Sequence, residues 1–249
     1  YENLSILHEN TMPTRAYYIP ASKRMDDLVE HREHSDRIQF LNGIWKFKYF
    51  ESIYDVREAF YEEGFFTEDF ADTKVPGVWQ MDGYDNHQYT NIKYPFPFDP
   101  PFVPQDIPCG EYVYEFTYEK CEKAPKTYLN FEGVDSCFYV WLNGKYVGYS
   151  QVPHTTSEFD VTELIKEGNN KIAVLVMKWC DGSYLEDQDK FRMSGIFRDV
   201  YLLQRPKRAI RDYRVNTKIN DNKATIFLDV KLTEKTEVKA VLEDKEGNI

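Results

Sequence analysis

The sequence predicts an all-β chain that folds as a sandwich or barrel, and three observations carry this prediction. Short runs alternate apolar and polar side chains at period two, and turn residues separate them. Aromatic residues make up 16% of the chain, with 19 Tyr and 17 Phe, and they favour strands. The pair Asn143-Gly144 between two such runs is the strongest short signal for a β-hairpin.

Residues 1–39 are predicted to form an extended surface strap. Pro13 and Pro20 fix φ and remove backbone donors, which favours an extended chain over a helix. The stretch 22–35 is rich in charge and poor in apolar residues, so it is expected to hold at most a short helix.

The globular core is predicted to begin at the Asn-Gly turn at 42–43. Trp45 and Phe47 then alternate with lysines, so the aromatic side chains should face inward. Residues 55–63 suit a short capped helix. Residues 80–110 form a long connection rich in Pro, Gly, Asn and Asp, and a connection of this length in a compact domain is usually functional.

Many short strands are predicted after Gly110, with a turn or short helix at 157–164. The predicted strands are 111–117, 127–131, 136–142, 145–150, 171–179 and 200–203. A polar loop between the last two would be held by a rigid sheet, which is how binding residues are often presented. Trp79, Trp141 and Trp179 could stack on sugars, but each lies in or beside an apolar strand, which favours core packing.

The composition shifts after residue 204. A basic linker at 204–208 precedes three alternating runs, 210–218, 223–232 and 237–242, which look like the first strands of an immunoglobulin-like sandwich. Such a sandwich needs about 100 residues and seven strands, so a truncated domain is expected. The predicted domains are therefore 1–39, 40–204 and 205–249.

Composition and charge exclude several classes of function. The net charge of -11 and the pI of about 5.0 argue against a nucleic-acid or anionic-membrane partner. No apolar run is long enough to span a membrane and no signal-peptide pattern opens the chain. Four scattered cysteines without CxxC spacing predict free thiols in a reducing cytosol. The His31/His34 pair lies in a charged stretch and is interpreted as a solvated face.

The most specific signal lies in the polar loop. Asp-Gly-Ser-Tyr-Leu-Glu-Asp-Gln-Asp at 181–189 and Arg-Met-Ser-Gly-Ile-Phe-Arg-Asp-Val at 192–200 resemble the end of the sugar-binding domain of glycoside hydrolase family 2, and within it the bacterial lactose-cleaving β-galactosidases. The resemblance runs from about Leu41 to Leu203. It includes Gly83-Tyr84-Asp85, Tyr89-Thr90-Asn91, Tyr94-Pro95, Pro100-Pro101-Phe102-Val103-Pro104 and Val147-Gly148-Tyr149.

This resemblance implies a jelly-roll, galactose-binding-domain-like β-sandwich followed by a truncated immunoglobulin-like sandwich. It also implies the N-terminal, non-catalytic portion of an enzyme that hydrolyses terminal β-D-galactosides such as lactose. The catalytic glutamates of the family come from a (β/α)₈ barrel, a pattern absent from this sequence. Glu186, Asp187 and Asp189 could cluster, but the fragment alone is predicted to be inactive.

The resemblance also implies roles for single residues. Asp181 is expected to bind galactosyl hydroxyls and, together with the missing barrel, a sodium ion. Asn91 is expected to contact the substrate as well. The alternatives are a loop-capping carboxylate for Asp181 and a turn residue for Asn91. Arg192 and Arg198 are interpreted as structural, pairing with Glu186, Asp187, Asp189 or Asp199 to hold the loop.

The expected partners follow from the same resemblance. They are a β-galactoside, the missing catalytic barrel and further copies of the full enzyme. Sodium and magnesium are expected for that full enzyme, with neither bound in the fragment. A free-standing carbohydrate-binding module is one alternative, and a sister β-glucuronidase or β-mannosidase is the other. A cytoplasmic location is expected.

Overall fold

In the computed structural model of the chain, residues 1–89, 91–186, 189–221, 223–244 and 246–248 are described. They form strands, turns and three short 3₁₀ turns without an α-helix, so the all-β prediction is confirmed. Accordingly, the described residues offer no helix with the length and apolarity needed to cross a membrane. The strands are β1 (His8–Glu9), β2 (Ile38–Phe40), β3 (Gly43–Phe50), β4 (Ala71–Val75), β5 (Gln88–Tyr89), β6 (Cys109–Tyr118), β7 (Lys126–Phe131), β8 (Val134–Asp135), β9 (Cys137–Leu142), β10 (Lys145–Ser150), β11 (Ser157–Asp160), β12 (Gly168–Met177), β13 (Phe191–Arg192), β14 (Gly195–Ile196), β15 (Val200–Arg205), β16 (Ile210–Asn220) and β17 (Lys223–Leu232).

The chain divides into two compact units. The first comprises Tyr1–Thr14 and Ile19–Arg205, and the second comprises Arg15–Tyr18 and Pro206–Ile249. The first unit contains β1 to β15, and the second contains the hairpin β16–β17.

The first unit is a sandwich of two antiparallel sheets. Seven strands pair in the order β1-β10-β9-β12-β6-β3-β4, and four pair in the order β11-β7-β15-β2. Alternate side chains of both sheets meet in one core, which includes Trp45, Val174 and Leu202. The period-two pattern therefore marks the inward positions, because successive strand residues point to opposite faces.

Loops cover the outer face of the large sheet. Phe60, Val103 and Trp179 form a second buried cluster there with alternate residues of β6 and β12. The short helix predicted over 55–63 is wrong, because the backbone beyond the 3₁₀ turn Ile53–Asp55 forms only bends and turns. Consecutive side chains Phe60 and Tyr61 both pack against the Trp141 ring, whereas a helix would point them about 100° apart.

The hairpin predicted at Asn143-Gly144 is confirmed. Both residues have positive φ, 53° and 77°, as a two-residue type I′ turn requires, and β9 pairs with β10 on either side. Residues 157–160, predicted as a turn or short helix, instead form β11 at the edge of the small sheet.

The second unit is described only in part. β16 and β17 pair antiparallel over almost their whole length, and the backbone amide of Ala16 donates to Asp212 Oδ1 at 2.8 Å. The third predicted run, 237–242, forms no strand. The immunoglobulin-like sandwich and the domain boundaries therefore stay predictions.

Candidate functional site

The polar loop between β12 and β15, residues 178–199, is defined here as the crossover segment. It leaves the large sheet at Met177, makes the 3₁₀ turn Asp181–Tyr184, and returns through the two short strands β13 and β14. Each short strand pairs with a distant segment: β13 with β5, and β14 with β8. This strand pairing fixes the positions of Phe191, Arg192, Gly195 and Ile196.

Asp181 lies inside the protein, with only 2% of its surface exposed. Its Oδ1 accepts hydrogen bonds at 2.9 Å from Gln151 Nε2 and from the backbone amide of Gly182. Its own amide donates to the carbonyl of Tyr1 at 2.8 Å. Oδ2 is buried without a hydrogen-bond partner among the described residues. The contact with sugar implied for Asp181 stays a prediction, and this burial weighs against it.

Asn91, for which the resemblance implies a contact with substrate, is exposed. It follows β5, whose Tyr89 pairs with Phe191 of β13, and the two rings lie 5.6 Å apart. Tyr89 Oη donates to Asp189 Oδ1, and this bond raises the pKa of Tyr89. Asn91 and Asp189 are both exposed, as are the two rings at 53% and 57%. The structure therefore brings the segment of Asn91 to Asp189 rather than to Asp181.

Glu186 is the most perturbed acid of the crossover segment. Burial raises its pKa to about 8, the charge of Asp135 adds to this effect, and Lys190 and Arg192 oppose it. Oε2 of Glu186 is buried without a described hydrogen-bond partner. Glu186 is thus protonated at neutral pH, while Asp187, which was predicted to lie beside it, is outside the described residues.

The two arginines have different surroundings, and their pairing with the acids of this segment stays a prediction. Arg192 is 3% exposed and donates to the Ser183 carbonyl at 3.4 Å, and its charge acts on Glu186. Among the described residues, Arg198 contacts the carbonyl and ring of His154 at 3.4 Å and lies over the Phe197 ring.

Asp199, one of the four acids predicted as partners of these arginines, is held by other residues. Asp199 is bound by Arg32 and by Asn42, which donates to its Oδ1 at 2.9 Å.

A buried ion pair joins the crossover segment to the long connection at 80–110. Lys178 is 4% exposed and its Nζ donates to Asp85, whose side chain is 14% exposed. Burial alone would raise the pKa of Asp85, but the hydrogen bond and charge of Lys178, with the Asn86 amide, hold it below its usual value. Lys178 precedes Asp181 in the crossover segment, and Asp85 precedes Asn91 in the long connection. The ion pair therefore joins the two loops of the candidate site.

Oδ2 of Asp181 is the atom to which the expected cation would bind. Buried carboxylate oxygens are rarely left without a partner, and a carboxylate oxygen suits a hard cation, while Oδ1 already accepts two N–H donors. Gln151 supplies the amide and lies 2% exposed between Asp181 and the carbonyl of Ile6.

Comparison with known proteins places this geometry in a family. Residues 38–206 match the family model described as "Glycosyl hydrolases family 2, sugar binding domain". A "Beta-galactosidase" of Actinobacillus pleuropneumoniae is 49% identical over 221 residues, which is 89% of this chain and 21% of that protein. A "Beta-galactosidase" of Staphylococcus xylosus is 46% identical over 242 residues, 97% of this chain and 24% of that protein.

Solved structures agree on the fold. A β-glucuronidase from an uncultured Clostridium species superimposes with a TM-score of 0.58 at 26% identity, covering 80% of this chain and 34% of that one. A Bacteroides uniformis β-glucuronidase gives 0.60 at 19% identity over 77% of this chain and 21% of its own, which shows the fold alone. The chain spans about a fifth to a quarter of the length of the curated relatives cited here. Since the family model covers more than half of its residues, the chain belongs to the glycosyl hydrolases of family 2 and carries their sugar binding domain.

Proposed function

We propose that this chain is the N-terminal, non-catalytic portion of a β-galactosidase, which hydrolyses terminal β-D-galactosides. The observation that carries the proposal is the difference in identity between relatives. The chain is 46–49% identical to two proteins named beta-galactosidase, but 26% identical to the β-glucuronidase with which its fold superimposes.

The exposed cluster of Tyr89, Asn91, Asp189 and Phe191 is the surface that we assign to the sugar site. The carboxylate of Asp189 accepts hydrogen bonds from hydroxyl groups, and the amide of Asn91 both donates and accepts them. The two rings add exposed apolar faces beside these polar groups. A catalytic barrel supplied by the rest of the enzyme would complete the pocket, so that this surface binds and orients the sugar.

Asp181 supports this surface from behind. Its buried carboxylate would help to hold the sodium ion expected for the full enzyme, together with ligands from the missing barrel. Such an ion supplies positive charge that neutralises the buried carboxylate. The chain's own residues fix the loop: Gln151 and the Gly182 amide orient Oδ1, which leaves Oδ2 for the ion.

Catalysis itself is assigned to the rest of the enzyme. Retaining hydrolysis requires two carboxyl groups about 5 Å apart across the bond. Glu186 is partly enclosed and protonated at neutral pH, and the exposed Asp189 belongs to the sugar-facing surface. The isolated chain should therefore not turn over nitrophenyl galactosides. The cytoplasmic location and the assembly of several copies are further parts of this proposal.

A sister enzyme of the same family is the second candidate, because the fold superimposes on β-glucuronidases. Two chimeras separate the candidates. In one, the chain replaces its matching segment in the Staphylococcus xylosus relative, and in the other it replaces that of the Clostridium β-glucuronidase. We expect the first to cleave nitrophenyl β-galactoside and the second to be inactive on the glucuronide. Activity in the second chimera alone would contradict the proposal.

The active chimera then tests single residues. Asp189→Asn should lower kcat/KM about 10- to 100-fold, because a hydrogen bond to a charged group is worth about 1.5–3 kcal/mol. Asn91→Ala should lower it about 10-fold. Glu163→Gln removes an exposed charge elsewhere and should leave it unchanged. If the kcat/KM of Asp189→Asn is as high as that of Glu163→Gln, the exposed cluster does not contact the sugar.

Calorimetry with galactose and the isolated chain distinguishes a free-standing binding module. The proposal expects millimolar affinity or none, since half of the pocket belongs to the barrel. Micromolar binding by the chain alone would favour the module instead.

A further inference from the structure

Three side chains that can ligate a metal converge at the 3₁₀ turn Arg32–His34 in the strap. One ligand atom each from His31, Glu33 and His34 lies within 4.8 Å of the other two. Within the described part of the chain, this is the one group of three or more His, Cys, Asp or Glu side chains at such distances. From the sequence, the His31/His34 pair was interpreted as a solvated face. The backbone conformation changes that interpretation.

The 3₁₀ turn explains the convergence. Side chains at i and i+3 eclipse each other in a 3₁₀ helix, and His31 and His34 stand three residues apart around this turn. Their rings stack with centroids 5.1 Å apart and an interplanar angle of 21°. The amide of His34 donates to the carbonyl of His31 at 3.1 Å, which holds the two residues in this relation.

One carboxylate orients His34, and a second lies beside the ring of His31. Asp27 Oδ2 lies 2.6 Å from His34 Nδ1, and Glu33 Oε1 lies 3.2 Å from His31 Nδ1. Donation from His34 Nδ1 to Asp27 leaves the lone pair of His34 Nε2 available, whereas His31 Nδ1 and Glu33 Oε1 already lie near the spacing of two ligands of one ion. Histidines that bind metal almost always donate their other ring nitrogen in this way. Asp27 also accepts the amide of His31 through its carbonyl at 2.7 Å, so one residue fixes both histidines.

The turn is anchored on its opposite side. Arg32 makes a bidentate ion pair with Glu132, at 2.6 and 3.1 Å, and also binds Asp199. Its guanidinium lies over the rings of Phe40 and Tyr201 at 5.3 and 5.5 Å. The backbone that carries the histidines is therefore attached to the sandwich, which pre-organises the cluster.

The donor set selects the class of ion. Zinc binds nitrogen and oxygen at about 2.0–2.2 Å, so tetrahedral ligands lie about 3.4 Å apart. The ligand atoms need to close by at most about 1.4 Å, and each of the three side chains is roughly half exposed. Imidazoles with a carboxylate suit Zn²⁺, Cu²⁺ and Ni²⁺, whereas Mg²⁺ and Ca²⁺ prefer oxygen alone. We propose that His31, Glu33 and His34 form a site for a divalent transition-metal ion of the Zn²⁺ class, with Asp27 orienting His34 and solvent completing the coordination.

Zinc titration of the chelator-treated 249-residue chain by calorimetry tests the site, and Co²⁺ absorption reports its coordination. We expect one site of this class whose affinity falls at least about 30-fold in the His31→Ala/His34→Ala double variant. Asp27→Asn should weaken it about 10-fold, since orienting residues typically contribute 10- to 100-fold.

Glu33→Gln and Glu30→Gln form a matched pair, because both remove one exposed charge from the same stretch. Only Glu33→Gln should weaken zinc binding and alter the Co²⁺ spectrum. Equal effects of the two substitutions on zinc affinity would mean that negative charge attracts zinc non-specifically, and this result would overturn the proposal. Unchanged zinc affinity in the double variant, with far-UV circular dichroism showing an intact fold, would also overturn it.

Discussion

The ion pair of Lys178 and Asp85 offers the sharpest test of how the candidate site is held together. Lys178→Met keeps much of the side-chain volume and removes the charge. Asp85 then stays largely buried, and among the described residues Gln80 Nε2, at 3.2 Å, is the side-chain donor that remains to it. Lys178 also lies over the Trp179 ring, and the apolar Met preserves that packing. The variant therefore isolates the loss of the charge partner.

The expected cost follows from burial. Removing one partner of a buried pair costs about 3–5 kcal/mol, and the 14% exposure of Asp85 places this pair at the lower end, about 3 kcal/mol. For a unit of this size the Tm should fall by about 6–12 °C. Lys46→Met breaks the Lys46–Asp72 pair, whose side chains are 47% and 62% exposed, and should cost less than about 1 kcal/mol.

Urea unfolding and thermal melts measure both variants, and hydrogen exchange over 83–91 and 178–186 reports the two coupled loops. The double variant Lys178→Met/Asp85→Asn should recover most of the loss, because no unpaired charge remains. Since the pKa of Asp85 is lowered in the fold, its stabilisation is present above its usual value of 3.8 and is lost as pH falls through the folded value. A cost for Lys178→Met no larger than that of Lys46→Met would refute this account.

Two further predictions concern the sheets. Burial raises the pKa of Glu111 from 4.5 to about 7, so the free energy of unfolding should fall as pH rises from 4.5 to 7. In urea titrations at pH 5 and 8, Glu111→Gln should remove about 1–3 kcal/mol of that fall. An unchanged difference in unfolding free energy between the two pH values would contradict the prediction. Gly195 has φ +130° and a Cβ there would lie 2.9 Å from both the Gly77 carbonyl and Tyr112 Oη, so Gly195→Ala should cost about 2–4 kcal/mol. Gly64→Ala, with open space around it, is the control and should cost less than about 1 kcal/mol; equal melting temperatures for the two variants would contradict the steric argument.

Local patterns were sufficient wherever neighbouring residues decide the structure. The hairpin at Asn143-Gly144 follows from φ preferences of two residues, and the inward Trp45 and Phe47 follow from the period of a strand. The helix predicted over 55–63 failed because Phe60 and Tyr61 are placed by a distant ring, Trp141, which the local pattern does not contain.

The sequence by itself determined the all-β class, the family and the segment that carries the candidate site, because these depend on residues close together in the chain. Only the tertiary structure decided which acid of that segment faces outward. Asp181 is enclosed by Gln151, while Asp189 meets Tyr89 at the surface, one hundred residues away. The physical reason is that exposure and charge pairing depend on strand pairing between distant segments, such as β5 with β13, and the local pattern carries no record of that pairing.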